Sequence, residues 1–190
     1  IPQPHVQQWP DLIETASNYA ASLGVTSVQD VHSDELSDIY RELVARGKLK
    51  TRVYDCAPLS SWGNLEKAGI RAAAGDAMVR TGCLKHFVDG DKAAAGELVA
   101  EIAGADRAGL QVMIHAIGPA AIDEILTIFE RVIDQNGARD RRFRVEHAHN
   151  ARVADLPRFG RSKVIASMQP WLFYRPGRRD AAFRSLLAAG

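Results

Sequence analysis

The sequence predicts an α/β protein of the (β/α)8 barrel type, a TIM barrel, and three observations carry the prediction. Short apolar, strand-like segments alternate with amphipathic, helix-like ones along the whole chain. The strands recur at a near-constant interval. With Val25, Val53, Lys85, His115, His147 and Ser167 as markers, the steps are 28, 32, 30, 32 and 20 residues. A repeated βα unit of about 30 residues is the mark of parallel α/β folds, with the barrel as leading member. Finally, a doubly wound sheet usually announces itself by a GxGxxG turn after an early strand, and none occurs. The repeat is one of structure, since no sequence motif recurs from unit to unit.

The elements follow in order. Leu12, Ile13, Ala16, Tyr19, Ala20 and Leu23 fall on one helical face that Gly24 ends. VTSVQD is the next strand, and Ser33 or Asp34 is placed to cap a helix that buries Leu36, Ile39, Tyr40, Leu43 and Val44. The segments LKTRVYDCAPL, CLKHFVDG, LQVMIHAIG, RFRVEHAH and KVIASMQP read as strands. The best-defined helix carries Ile122, Ile125, Leu126, Phe129, Val132 and Ile133, and Asn136-Gly137 closes it.

Composition narrows the function without naming it. At 190 residues and 46% hydrophobic, the chain can bury the core of one domain, residues 1–190. A formal net charge of +1 gives no argument for nucleic acid or an anionic membrane as partner. Cys56 and Cys83 form no CxxC pair and lie in strands, which reads as a reduced interior. No apolar run reaches the ~18 residues of a spanning helix, and IPQPHVQQW lacks a signal-peptide pattern. The default location is therefore the cytoplasm, although the sequence does not begin with methionine.

The candidate site lies in residues that interrupt apolar strands near their ends. Side chains alternate along a strand, so Gln111, Met113 and His115 share one face while Val112 and Ile114 take the other. The aliphatic pair belongs against the outer helices, which turns His115 inward at the C-terminal end, where barrel enzymes collect their catalytic groups. By the same count Phe143, Val145 and His147 share the inward face, with Arg144 and Glu146 opposite. A single strand histidine is more often a satisfied core imidazole. Two in register with a strand lysine, Lys85, point to a site. Lys85 has an alternative as partner of Asp89.

The ordered set GVTSVQD, KHFVDG, HAIG, VEHAH and ASMQP resembles the metal-dependent amidohydrolase superfamily. The likeness is greatest to its family-3 type, the branch with the N-substituted formamide deformylases. The resemblance implies a (β/α)8 barrel of which this chain covers strands two to seven. It implies one or two divalent ions, usually zinc, held by Lys85, His115 and His147, with Lys85 in the place of a bridging, often carbamylated lysine. The chemistry suits the assignment. Neutral imidazole is a natural zinc ligand. A desolvated lysine near a cation loses its proton and can add carbon dioxide to become an anionic carbamate. Hydrolysis of an amide-type C–N bond by metal-bound hydroxide is the implied reaction.

Several positions depart from the family pattern. The first-strand HxH pair and the eighth-strand catalytic aspartate are absent from these residues, and a complete barrel needs about 250. The expectation is therefore a partial barrel within a longer protein. DGDKAAAGEL and QPWLFYRPGRRD are short, Leu172 replaces a common histidine, and Pro119 stands where HAIGD sequences carry aspartate. Gln169 is a candidate substrate-binding residue. Asp30 is read as a turn cap or site residue, His149 as a non-ligand, His86 as facing the helices, and His5 and His32 as surface groups. The clusters 177–180 and 138–142 read as solvated loop charges. Two other readings stay open: a metal-free barrel enzyme using Lys85 as a Schiff-base lysine, and a non-catalytic barrel remnant. The expected partner is a small-molecule substrate, with no nucleic acid and no membrane, and a homo-oligomer fits.

Overall fold

The computed structural model describes residues 5–31, 36–88, 95–169 and 183–189. Six of its strands are parallel: β1 (Ser27–Val31), β2 (Arg52–Pro58), β4 (Val79–Val88), β5 (Gln111–Ala116), β6 (Arg144–Glu146) and β7 (Ile165–Ser167). They are hydrogen-bonded in chain order, and a two-residue β3 (Ala74–Gly75) runs antiparallel to β4. A doubly wound sheet reverses its order at a switch point. Here every strand lies beside its predecessor, which is the winding of a barrel. The chain forms a parallel-strand portion of a (β/α)8 barrel.

The helices alternate with the strands in sequence, α1 (Trp9–Ser22) preceding β1, then α2 (Ser37–Ala45), α3 (Trp62–Lys67), α4 (Ala95–Arg107), α5 (Pro119–Asn136) and α6 (Leu156–Ser162), with α7 (Phe183–Ala189) following β7. The expected long helix is α5. Gly118 at φ 95° admits it, Pro119 stands in its first turn, and Gly137 at φ 79° ends it. The caps expected at Ser33 and Asp34 lie outside the described residues, as do His32, Asp89, Pro170, Leu172 and 177–180. The short α3 and β3 lie where sequence periodicity gave no element.

The main core lies between the sheet and α4 and α5. Leu84, Val112, Ile114 and Val145 meet Ile102, Ile122, Ile125, Leu126 and Phe129, all fully buried. Burying each such side chain contributes roughly 1.5–3 kcal/mol relative to exposure. Phe143 stacks on Phe129 with ring centroids 4.4 Å apart. This corrects the face assignment made for β6. Val145 and Phe143 face the helices, and the barrel interior receives Arg144 and Glu146 instead.

Two further expectations are overturned. Cys56 and Cys83 are not reduced; they pair in register across β2 and β4 and form a disulfide. A sequence separation of 27 conceals that adjacency, because a parallel crossover returns the chain beside itself. The 138–142 cluster is not simply solvated either. Asp106, fully buried at the end of α4, pairs with Arg139 and accepts a hydrogen bond from Asn136 at 2.8 Å. Arg141 Nε lies 2.9 Å from the same carboxylate, at ion-pair distance without hydrogen-bond alignment, and its side chain is 4% exposed. Arg142 and Asp140, paired with each other at the surface, match the solvated reading.

Candidate active site

A one-residue register shift aims Lys85. In β2 and β4, Tyr54 lies opposite Arg80, whereas Cys56 lies opposite Cys83, so β4 carries one extra residue at Thr81–Gly82. Gly82 sits there at φ 95°, and a Cβ on it would meet the carbonyl oxygen of Arg71 at 2.0 Å. The extra residue changes the alternation of the strand. Arg80 and Cys83 both reach the inner side, and from Cys83 onward the odd positions, Lys85 and Phe87, point inward. Lys85 is 6% exposed, with its Nζ 3.5 Å from the Phe87 ring centroid.

His115 follows from strand parity as expected. Across the sheet, Phe87, His115, Glu146 and Ser167 form one row of register partners, so their side chains share a face. The next row on that face, two residues toward the strands' N-termini, is Lys85, Met113, Arg144 and Ile165.

His147 reaches the site differently. Strict alternation after Glu146 would send it to the helix side with Val145. Its backbone is left-handed, at φ 65° and ψ 33°, and this turns the ring back over the strand ends. The His115 and His147 ring centroids are 4.5 Å apart, edge to face. His147 Nδ1 lies 2.8 Å from Gln169 Oε1, just past β7.

The three expected residues thus line one cavity of about 230 Å3, shared with Gln29, Val31, Phe87 and Glu146. Glu146 is the member that sequence reasoning placed on the wrong face. Arg144 Nε donates to its Oε1 at 2.8 Å, and an Arg144 terminal nitrogen donates to Ser167 Oγ at 3.1 Å. A signal existed: two charged residues at alternate positions would be costly to bury against helices, so the inner face was their place. Deeper in the same side lies Tyr54, whose phenol burial holds above its ordinary pKa, partly offset by the Ala73 backbone and by Arg144 and Arg80. Asp30 is no cavity residue, since it accepts a 2.6 Å hydrogen bond from Tyr40 of α2. His149 is buried with its ring 6.2 Å from His147, His86 pairs in register with helix-facing Ile114, and His5 is exposed.

The donor set suits a divalent ion, with two imidazoles and a buried amine lining one small cavity. Among the described residues, no three His, Cys, Asp or Glu side chains group as a ligand set by themselves. Lys85 and donors beyond the described residues would have to complete it. No described helix is long and apolar enough to cross a membrane.

The architecture and cavity define the C-terminal mouth of a partial (β/α)8 barrel. The chain belongs to the amidohydrolase family, whose model matches residues 8–190. It is 33% identical over 191 residues to Protein LONG AFTER FAR-RED 3 of Arabidopsis thaliana, covering 82% of this chain and 32% of that protein. An uncharacterized metal-dependent hydrolase from Pyrococcus furiosus superposes with a TM-score of 0.76 at 26% identity, over 98% of this chain and 45% of that one. Atrazine chlorohydrolase TrzN from Arthrobacter aurescens TC1, solved with zinc, shares the fold at a TM-score of 0.62 and 20% identity, over 95% of this chain and 47% of that one. The chain therefore spans a third to a half of the length of these relatives.

Proposed function

We propose that this chain supplies part of the active site of a divalent-metal hydrolase acting on amide-type C–N bonds, with N-substituted formamides as the first substrates to try. The observation that carries the reading is the convergence of Lys85, His115 and His147 on one cavity at the strand ends. The Pyrococcus furiosus relative is a metal-dependent hydrolase and TrzN was solved with zinc, which supports zinc as the ion.

His115 and His147 would hold the ion through ring-nitrogen lone pairs. Lys85 would join them as the neutral amine or, after adding carbon dioxide with loss of a proton, as a carbamate. When bound, the ion supplies Lewis acidity and lowers the pKa of a coordinated water toward about 7. Glu146, kept in place by Arg144, puts a carboxylate beside the reacting region. Phe87 and Val31 form the apolar wall that limits water around a small-molecule substrate. The first-strand HxH pair and the eighth-strand catalytic aspartate that the family resemblance implies are not among these 190 residues.

The test is metal analysis of the full-length polypeptide with formate-release and amine-release assays. His115→Ala and His147→Ala should each strip the metal and remove activity while leaving the melting temperature of the metal-free protein within a few degrees. Wild-type metal content in both variants would overturn the reading. Borohydride trapping of a carbonyl substrate on Lys85, in metal-free and active protein, would replace it with the Schiff-base alternative.

A further inference from the structure

We infer that Gln169 is a positioning residue that fixes the tautomer and orientation of His147, a role distinct from substrate contact. The inference rests on His147 being a metal ligand, as proposed above. Three observations carry it. The amide Oε1 of Gln169 lies 2.8 Å from His147 Nδ1. Oxygen can only accept, so Nδ1 must carry the proton in that pair, and the neutral ring then presents its lone pair at Nε2. In addition, His147 lies beyond the last residue of β6 in a left-handed conformation, so strand pairing does not orient its ring. Gln169 itself sits two residues past the end of β7, the strand that pairs with β6, so the contact spans adjacent strand ends.

The cavity explains why such a lock is needed. His115 and His147 meet edge to face at 4.5 Å between centroids. With Nδ1 engaged by Gln169, the other edge of the His147 ring is the one available to an ion held jointly with His115. A histidine free to exchange tautomers offers the ligating lone pair only part of the time. Hydrogen-bond partners of this kind commonly change metal affinity by 10–100-fold.

The experiment uses the full-length polypeptide and zinc alone as probe. Gln169→Leu removes the acceptor, and Gln169→Glu keeps an acceptor while removing the amide's donor. In wild-type apo protein, nitrogen-15 shifts of His147 should show a protonated Nδ1 and a bare Nε2. Gln169→Leu should lose that preference and weaken zinc about 10–100-fold in chelator competition, whereas Gln169→Glu should retain both within about threefold. A mixed or inverted tautomer in the wild type would overturn the inference, as would unchanged zinc affinity in Gln169→Leu. Loss of binding in Gln169→Glu equal to that in Gln169→Leu would show that the amide donates, and would also overturn it. If Gln169→Leu does not fold, the wild-type tautomer and Gln169→Glu still decide. His147→Ala tests the underlying reading separately: if it leaves zinc affinity unchanged, His147 is not a ligand and the metal assignment fails first.

Discussion

His147 is delivered to the cavity by a backbone conformation that L-residues avoid. A left-handed residue other than glycine costs roughly 1–2 kcal/mol, while glycine adopts it freely and loses roughly 0.5–1 kcal/mol of chain entropy on folding. In the metal-free full-length polypeptide, His147→Gly should therefore be more stable than His147→Ala by about 0.5–1 kcal/mol, read by chemical denaturation. The reverse order would show that position 147 is not held left-handed in solution. The same residue marks a limit of sequence reading. His115 was legible because it sits inside an apolar strand, where parity gives direction; Lys85 was legible as a charged residue within an apolar strand, while its direction comes from the register shift at Thr81–Gly82. The faces of β6 were misassigned because the count was anchored on His147, which lies past the strand end and breaks the alternation. Glu146 was lost with that anchor.

At the scale of elements, strong periodicity made α5 readable together with its glycine stop, and apolar runs made the six parallel strands readable. The interactions that lock these elements together were not. Asp106 ends α4 fully buried, and its partners Asn136, Arg139 and Arg141 stand about thirty residues later, at the end of α5 and in the turn into β6. Composition shows a charged loop there; only the fold shows that one carboxylate is enclosed by it. Asp106→Ala should cost about 3–5 kcal/mol, because Arg141 is left buried without its counter-charge. Replacing both, as Asp106→Leu with Arg141→Met, should recover a large part of the loss, since well-packed apolar residues often equal or exceed a buried ion pair. Urea denaturation of the full-length protein measures both, and a single-variant cost below about 1 kcal/mol would remove the buried pair from the account of stability.

At the scale of the whole molecule, the described residues leave the sheet with two unpaired edges, as β1 bonds only to β2 and β7 only to β6. Apolar side chains are exposed around both. Tyr19 and Leu23 stand 67% and 64% exposed at the end of α1 that leads into β1, and Leu187 is 82% exposed in α7 beyond β7. In sequence, Tyr19 and Leu23 fall on one apolar helical face, and in the structure Ile13 alone of that face is buried. An edge strand exposes unpaired donors and acceptors and invites pairing with another copy. Parallel pairing is also slow to form, which prolongs the exposure during folding. Residues 1–190 expressed by themselves should accordingly form soluble oligomers or aggregates, while the full-length polypeptide should be monodisperse with one cooperative transition. Size-exclusion chromatography with light scattering, followed by calorimetry, distinguishes the two. A monomeric 190-residue piece with a single sharp melting transition would mean that the edges are protected by residues within the piece itself, and the partial-barrel account of these exposed side chains would have to be abandoned.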